Sequence, residues 1–141
     1  MATPKQPARR SDCPISYSLD VFGDRWTLLV VRDLALRGKR HFGDFLHSEE
    51  GIASNILADR LKMLECCGIV SRHPDPAHAS KVIYSLTEKG MDLIPGLLEL
   101  VCWGAKYDDG TPVPREFVQR IEKEREQMVA QVKASLRGKP T

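Results

Sequence analysis

Residues 42–86 constrain the fold more than any other stretch, because helical and strand periodicities follow one another there in a fixed order with little spacer. A short apolar-spaced piece around Asp44, Phe45 and Leu46 leads into a polar turn, Ser48-Glu49-Glu50-Gly51. A longer helix follows over about 53–67, with Leu57, Leu61 and Leu64 recurring at i, i+4 and i+7 until Gly68 ends it. Ile69 to His73 then reads as a strand, and Lys81 to Leu86 as a second, rich in β-branched and aromatic residues. Pro74 to Ser80, between them, reads as a turn-rich loop.

A short helix, a glycine-containing turn and a longer helix make a helix-turn-helix, a pattern that many helical hairpins share. The hairpin that follows at once narrows the reading to a winged helix-turn-helix: a mainly α chain with a small β-hairpin wing, of class α+β. More helices flank this unit. Cys13 at the cap, Pro14 at the first helical position and Gly23 past the end frame the first, with Ile15, Leu19 and Phe22 on one face. Asp24 can cap a second over about 25–37, whose stripe of Trp26, Leu29, Val30 and Leu34 is widened by Leu28 and Val31.

Thr87 can cap a helix over about 88–106 that is apolar almost all round and that Pro95 should kink. One domain face cannot bury it, which predicts added dimerisation helices. After a break at 108–112, a last helix over about 115–136 carries Phe117, Ile121, Met128, Val132 and Leu136 at helical spacing. Glu124 and Arg125 leave its middle weak. The chain thus divides into a flexible N-terminal arm (1–12), a winged helix-turn-helix domain (13–106), and a C-terminal linker and helix (107–141) for dimerisation or regulation.

Composition sets limits. The 141 residues are 42% hydrophobic and 28% charged, an ordinary globular balance. No apolar run is long enough for a membrane span, and the first residues lack the apolar core of a signal peptide, so a cytoplasmic protein is expected. Cys13, Cys66, Cys67 and Cys102 form no CxxC pair and suit neither a zinc site nor a disulfide scaffold. Neither metal nor cofactor is expected. The net charge is only +2, with 13–105 carrying ten basic and twelve acidic groups, so bulk charge does not argue for nucleic acid.

The argument for DNA rests on position. On the 53–67 helix, Leu57, Leu61 and Leu64 point inward while Asn55, Ala58, Asp59, Lys62 and Cys66 point outward. Base contacts in such folds come from the N-terminal half of the second helix, which selects Ser54, Asn55, Ala58 and Asp59. Asn can bond adenine through two atoms, and a carboxylate can accept from cytosine N4. Lys62, one turn on, can reach phosphate. Arg40, His41, Arg72, His73, His78 and Lys81 fall in the loop and hairpin that would flank the groove, where they would bind backbone. Arg60, at the edge of the buried stripe, suits an internal ion pair as well as a phosphate.

Five motifs carry a family resemblance: CPISYSLDVFGDRWTLLVVRDL at 13–34, GKRHFGDF at 38–45, GIASNILADRLKMLECCGIVSR at 51–72, YSLTEKG at 84–90 and CWG at 102–104. Together they resemble the HxlR-type winged-helix regulators, relatives of the MarR group, over residues 13–104. The resemblance implies a homodimer, built from the first helix and the helices after the wing, that binds an inverted-repeat operator in double-stranded DNA and represses nearby genes. It also implies a trigger. Some members sense oxidants or electrophiles through a cysteine at the position of Cys13, and a thiol at a helix N-terminus is independently favoured as a nucleophile. A small apolar effector, with Trp26 and Trp103 lining its pocket, is the other candidate. This sequence has Ala53 where the family often has a capping Ser, which would let Ser54 take over the cap; it has His41 where Arg is common, and Ile83 where an acidic residue is frequent.

Two rival classes remain. An enzyme would need a site that this chain does not offer: no nucleophile elbow, P-loop, HExxH or Gly-rich dinucleotide turn is present. A winged helix that only holds protein partners is the second; Asp59 and the acidic turn Glu49-Glu50 favour it, and Asn55 and Lys62 oppose it.

Overall fold

The computed structural model describes residues 8–138, so residues 1–7 of the expected arm lie outside it. Seven helices and one hairpin run in the order α1 (Pro14–Phe22), α2 (Thr27–Leu36), α3 (Phe42–Leu46), α4 (Ser54–Cys66), β1 (Val70–Asp75), β2 (His78–Leu86), α5 (Glu88–Met91), α6 (Ile94–Tyr107) and α7 (Arg115–Arg137). α1 starts at Pro14 behind Cys13 and stops at Gly23, as its sequence signals require. α2 begins two residues later than expected, but Asp24 does start it: its carboxylate accepts the Trp26 and Thr27 N–H groups at 2.9 and 3.0 Å.

α4 ends in a left-handed Gly68 (φ 73°), where only glycine avoids a steric penalty. The Ile69 N–H then bonds the Leu64 carbonyl at 2.9 Å and the Gly68 N–H bonds that of Glu65 at 3.0 Å, the double closure of a Schellman motif. This turn sends the chain directly into the wing. Thr87 locks the far end: its N–H donates to the Ile69 carbonyl at 3.0 Å, and its hydroxyl oxygen accepts the Gly90 N–H at 3.2 Å to cap α5.

The core lies between α2, α4, α6, α7 and the inner face of the hairpin. Val31, Leu57, Leu64, Ile94, Leu98 and Ile121 are wholly buried in it. α7 belongs to this core through Ile121 and Met128, and is interrupted at Glu124 (φ −126°, ψ 32°), in the segment whose apolar pattern fades.

Three expectations need correction. The wing loop is not seven residues long: the strands extend to Asp75 and from His78, leaving a turn at Pro76-Ala77. Pro74 is tolerated because both strands of a two-stranded sheet are edges, and the Asp75 carboxylate builds the turn by accepting the Ala77 N–H at 2.9 Å. The helix over 88–106 is broken rather than kinked. Pro95 lacks the N–H that a continuous helix would use and instead sits in the first turn of α6. Ser54 does not take over the cap; Ala53 remains the cap residue, with no side-chain bond to the helix. The apolar face of α1 is divided within one chain: Phe22 packs on the core, and Ile15 and Leu19 do not. Ile15 is 71% exposed and Leu19 52%, while Val21 turns inward.

The join between α5 and the wing leaves no room at Gly90, where a Cβ would collide with the Ile69 carbonyl oxygen and lie 2.9 Å from Leu86 Cδ2. Gly90→Ala should therefore destabilise the protein by about 1–3 kcal/mol despite alanine's better helix propensity. Urea unfolding followed by circular dichroism checks this; an unchanged midpoint would mean that the joint is slack.

Candidate nucleic-acid interface

The orientation of α4 is set by charges that its own pattern does not contain. Asp33, on the buried side of α2, is 2% exposed, and an isolated carboxylate there would carry a large desolvation cost. It is met from several sides. The Ser48 hydroxyl donates to Oδ2 at 2.5 Å, and the Arg32 Nε and Nη2 groups donate to Oδ1 at 3.1 and 2.9 Å. Lys39 Nζ lies 3.8 Å away and donates to Ser48 Oγ at 2.6 Å. Arg32 also forks onto Glu50, with bonds of 2.7 and 2.9 Å, and Arg37 reaches Glu49 at 2.8 Å. The turn that separates α3 from α4 is thus bolted to α2. The acidic pair Glu49-Glu50, which favoured a protein partner, is engaged within the chain.

A second tie fixes the helix itself. Asp24, the residue that starts α2, accepts the Thr27 hydroxyl at 2.5 Å and lies 3.5 Å from Arg60 Nη1 on α4. Burial pushes the Asp24 carboxyl up, but the Thr27 hydroxyl, two backbone N–H groups and Arg60 outweigh it and hold the group below its ordinary value. Arg60 also donates to Asp59 at 2.7 Å. Of the two roles open to Arg60, the internal ion pair is the one formed.

With α4 held in this way, Leu57, Leu61 and Leu64 enter the core, and Ser54, Asn55, Asp59 and Lys62 are exposed along the opposite side. Ala58 is half-buried, and Asp59 is exposed but tethered by Arg60. The wing residues are distributed more widely. Arg72 pairs with Tyr84 and His73 with Ile83, so their side chains leave opposite faces of the hairpin. His78 and Lys81 lie exposed on β2. Arg40 presents its carbonyl to the Tyr84 N–H at 2.8 Å and so runs beside the outer edge of β2.

His41 is engaged differently from a surface phosphate ligand. Its Nε2 lies 2.8 Å from Asp75 Oδ2 in the wing turn, and its Nδ1 3.4 Å from Asp44. The His41 bond, followed by the Ala77 N–H, holds the Asp75 carboxyl below its usual value. The imidazole is a strut between α3 and the wing.

Cys13 is exposed at the start of α1 and free; Cys67 is buried, and Cys66 and Cys102 are half-buried. Trp26 and Trp103 do not line a common cavity. Trp103 is 65% exposed against Tyr107, at 5.4 Å between ring centroids, while Trp26 lines a crevice of about 10 Å³, too small for an organic ligand. Sequence reasoning missed the Arg32–Asp33–Ser48–Glu50 group, although Asp33 inside the apolar stripe of α2 was itself a signal, since such a charge must be paired.

Removal of the buried acceptor should be costly. Asp33→Ala removes the acceptor on which Ser48, Arg32 and Lys39 converge and should destabilise by roughly 3–5 kcal/mol in chemical unfolding. The outer part of the group should respond to acid. The Arg37 guanidinium lowers Glu49 from 4.5 to about 2, and Arg32 lowers Glu50. A depressed carboxyl contributes stability that is complete above its ordinary value and is lost as pH falls through the depressed one. Amide exchange at residues 48–51 should therefore quicken as pH falls from 4.5 toward 2, after correction for intrinsic rates. Protection that stays constant over that window would show that these pairs do not hold the turn.

Comparison with known proteins places this arrangement. The model of the HxlR-like helix-turn-helix family matches residues 21–111. An HTH-type transcriptional regulator of Synechocystis sp., sll1512, is 35% identical over 95 residues, which are 67% of this chain and 70% of the relative. The structure of the redox regulator HypR in its oxidised form superposes with a TM-score of 0.62 at 35% identity, over 69% of this chain and 99% of HypR. The reduced form of the transcriptional regulator YodB from Bacillus subtilis gives 0.56 at 32% identity, over 72% and 99%.

Proposed function

The chain belongs to the HxlR-like helix-turn-helix family, and from that premise we propose that it is a dimeric repressor which reads an inverted-repeat operator with α4. That it is a DNA-binding transcriptional regulator and not an enzyme follows from the family. The observation that carries the finer reading is the two-sidedness of α4: three leucines fix one side in the core, and Ser54, Asn55 and Lys62 stand exposed on the other. In this reading Ser54 and Asn55 meet base edges, with Ala58 and Asp59 beside them, and Lys62 meets phosphate. Arg40, Arg72, His73, His78 and Lys81 supply backbone contacts around the groove, while His41 acts by positioning the wing.

The dimer is supported by the uncovered apolar side chains of α1 and α6. Ile15, Tyr17, Leu19, Leu100, Trp103 and Tyr107 are each more than half exposed in the single chain, and side chains of this size in such number mark an interface. Two copies joined there would present two α4 helices with two-fold symmetry, which an inverted repeat matches. No helix among the described residues is long and apolar enough to cross a membrane, in keeping with work in the cytoplasm.

Cys13 supports a redox trigger by its exposed thiol at the start of α1, beside the apolar face assigned to the dimer. Cys13→Ser should bind operator normally and lose its release by peroxide or quinone in a gel-shift assay; release equal to that of the native chain would remove Cys13 from the signal.

Reading by α4 makes its own demands. Asn55→Ala should cost about 1–3 kcal/mol at one base pair of each half-site. Lys62→Ala should weaken all sequences alike and flatten the salt dependence of binding. Titration of both variants against operator and scrambled duplex measures this, and native-like binding by both would misplace the reading helix. Affinity indifferent to salt would favour the alternative of a protein-binding module.

A further inference from the structure

The family match ends at residue 111, so α7 adds surfaces that the shared domain lacks. Where α7 lies over the ends of α2 and α6 there is a cleft of about 350 Å³, within the size range of small-molecule sites. Leu36, Leu98, Phe117, Met128 and Val132 give it apolar walls. One charged group lines it, Arg120.

The break at Glu124 creates the polar edge of this cleft. Arg120 and Gln131 would stand about 16 Å apart along a continuous helix, yet Arg120 Nη2 donates to Gln131 Oε1 at 2.8 Å. The fold in α7 therefore brings a guanidinium and an amide together over an apolar floor. The carboxylate partner of Arg120, Glu124, is 3.4 Å away in an exposed pair, which is weak in water and readily exchanged. A guanidinium offers five donors in a planar fork suited to a carboxylate. The cleft on another face of α7 differs: its Arg125, Lys133 and Arg137 already face Glu99, Asp92 and Glu88. Each of those cations is held by a carboxylate outside α7, whereas the carboxylate beside Arg120 lies four residues on along α7 itself.

We infer that the cleft beneath the α7 break is an effector site for a small aromatic or branched monocarboxylate, its apolar body against Phe117, Met128 and Val132 and its carboxylate on Arg120. The site gives a location to a small-molecule effector, the other candidate trigger, and rests on the proposed regulator function only for its consequence at DNA. The cleft adjoins Ala35 and Leu36 at the end of α2, next to Arg37, which holds Glu49 in the turn before α4. Occupancy thus has a short route, through the Arg37–Glu49 ion pair, to the reading helix.

The test uses the full chain labelled at methionine methyls, with 1-naphthoate as probe and 1-naphthamide as its uncharged control. The Met128 signal, assigned through Met128→Leu, should move on addition of 1-naphthoate while those of Met63 and Met91 stay in place. The amide should bind at least about tenfold more weakly, the loss of a charge-assisted bond. Arg120→Gln should abolish that preference, and Ser135→Phe, which narrows the cleft from its rim, should abolish the shift. The proposal is overturned if millimolar 1-naphthoate leaves Met128 unmoved, if acid and amide bind alike, or if Ser135→Phe binds as the native chain does. Because this readout contains no DNA, failure of the site is separable from failure of the regulator reading, which the Asn55 and Lys62 titrations address.

Discussion

A buried carboxylate on α2 is the constraint around which the helix-turn-helix of this molecule is arranged. Asp33 lies where the helix would otherwise present another apolar residue, and its charge is tolerated because Arg32, Lys39 and Ser48 converge on it. Apolar packing by itself fixes depth more sharply than angle, since leucines at adjoining positions exchange partners at small cost. Charge-assisted bonds have narrow geometry. The leucines of α4 decide that the helix is buried on one side; the Asp33 group and the Asp24–Arg60 tie decide how it is turned.

Most of the architecture was legible in the sequence because it obeyed local rules. Pro14 and Gly23 framed α1, Asp24 started α2, Gly68 stopped α4, and Thr87 capped α5. Glu124 marked a weak point in α7, and the helix does depart from regular geometry there. The misreadings arose where a residue acts through a distant partner. Pro74 and Pro76 suggested an open loop, yet Asp75 closes a tight turn by bonding Ala77 and His41, the latter 34 positions away.

The candidate site divides in the same way. The outward row of Ser54, Asn55 and Lys62 follows from helical period alone. An internal ion pair was one of the two roles open to Arg60, but the engagement of His41, Glu49 and Glu50 could not be foreseen, because each pairs across elements. Basic side chains counted along the chain overstate what is offered to a phosphate backbone. In this molecule several of them are structural, which accords with a DNA-binding chain whose net charge is only +2.

The doubly employed Asp24 restricts how such a molecule can be switched. The same carboxylate begins α2 through one oxygen and faces Arg60 of α4 through the other, so rolling or tilting α4 against α2 gives up the Asp24–Arg60 pair. That joint is a costly place for a signal to act, and in the proposed dimer the cheaper coordinate is the spacing of one intact helix-turn-helix from its twin. In the dimer proposed above, regulation would then work as a caliper does, by changing a gap between two rigid jaws, so that the register of the two half-sites would become the quantity an inducer alters.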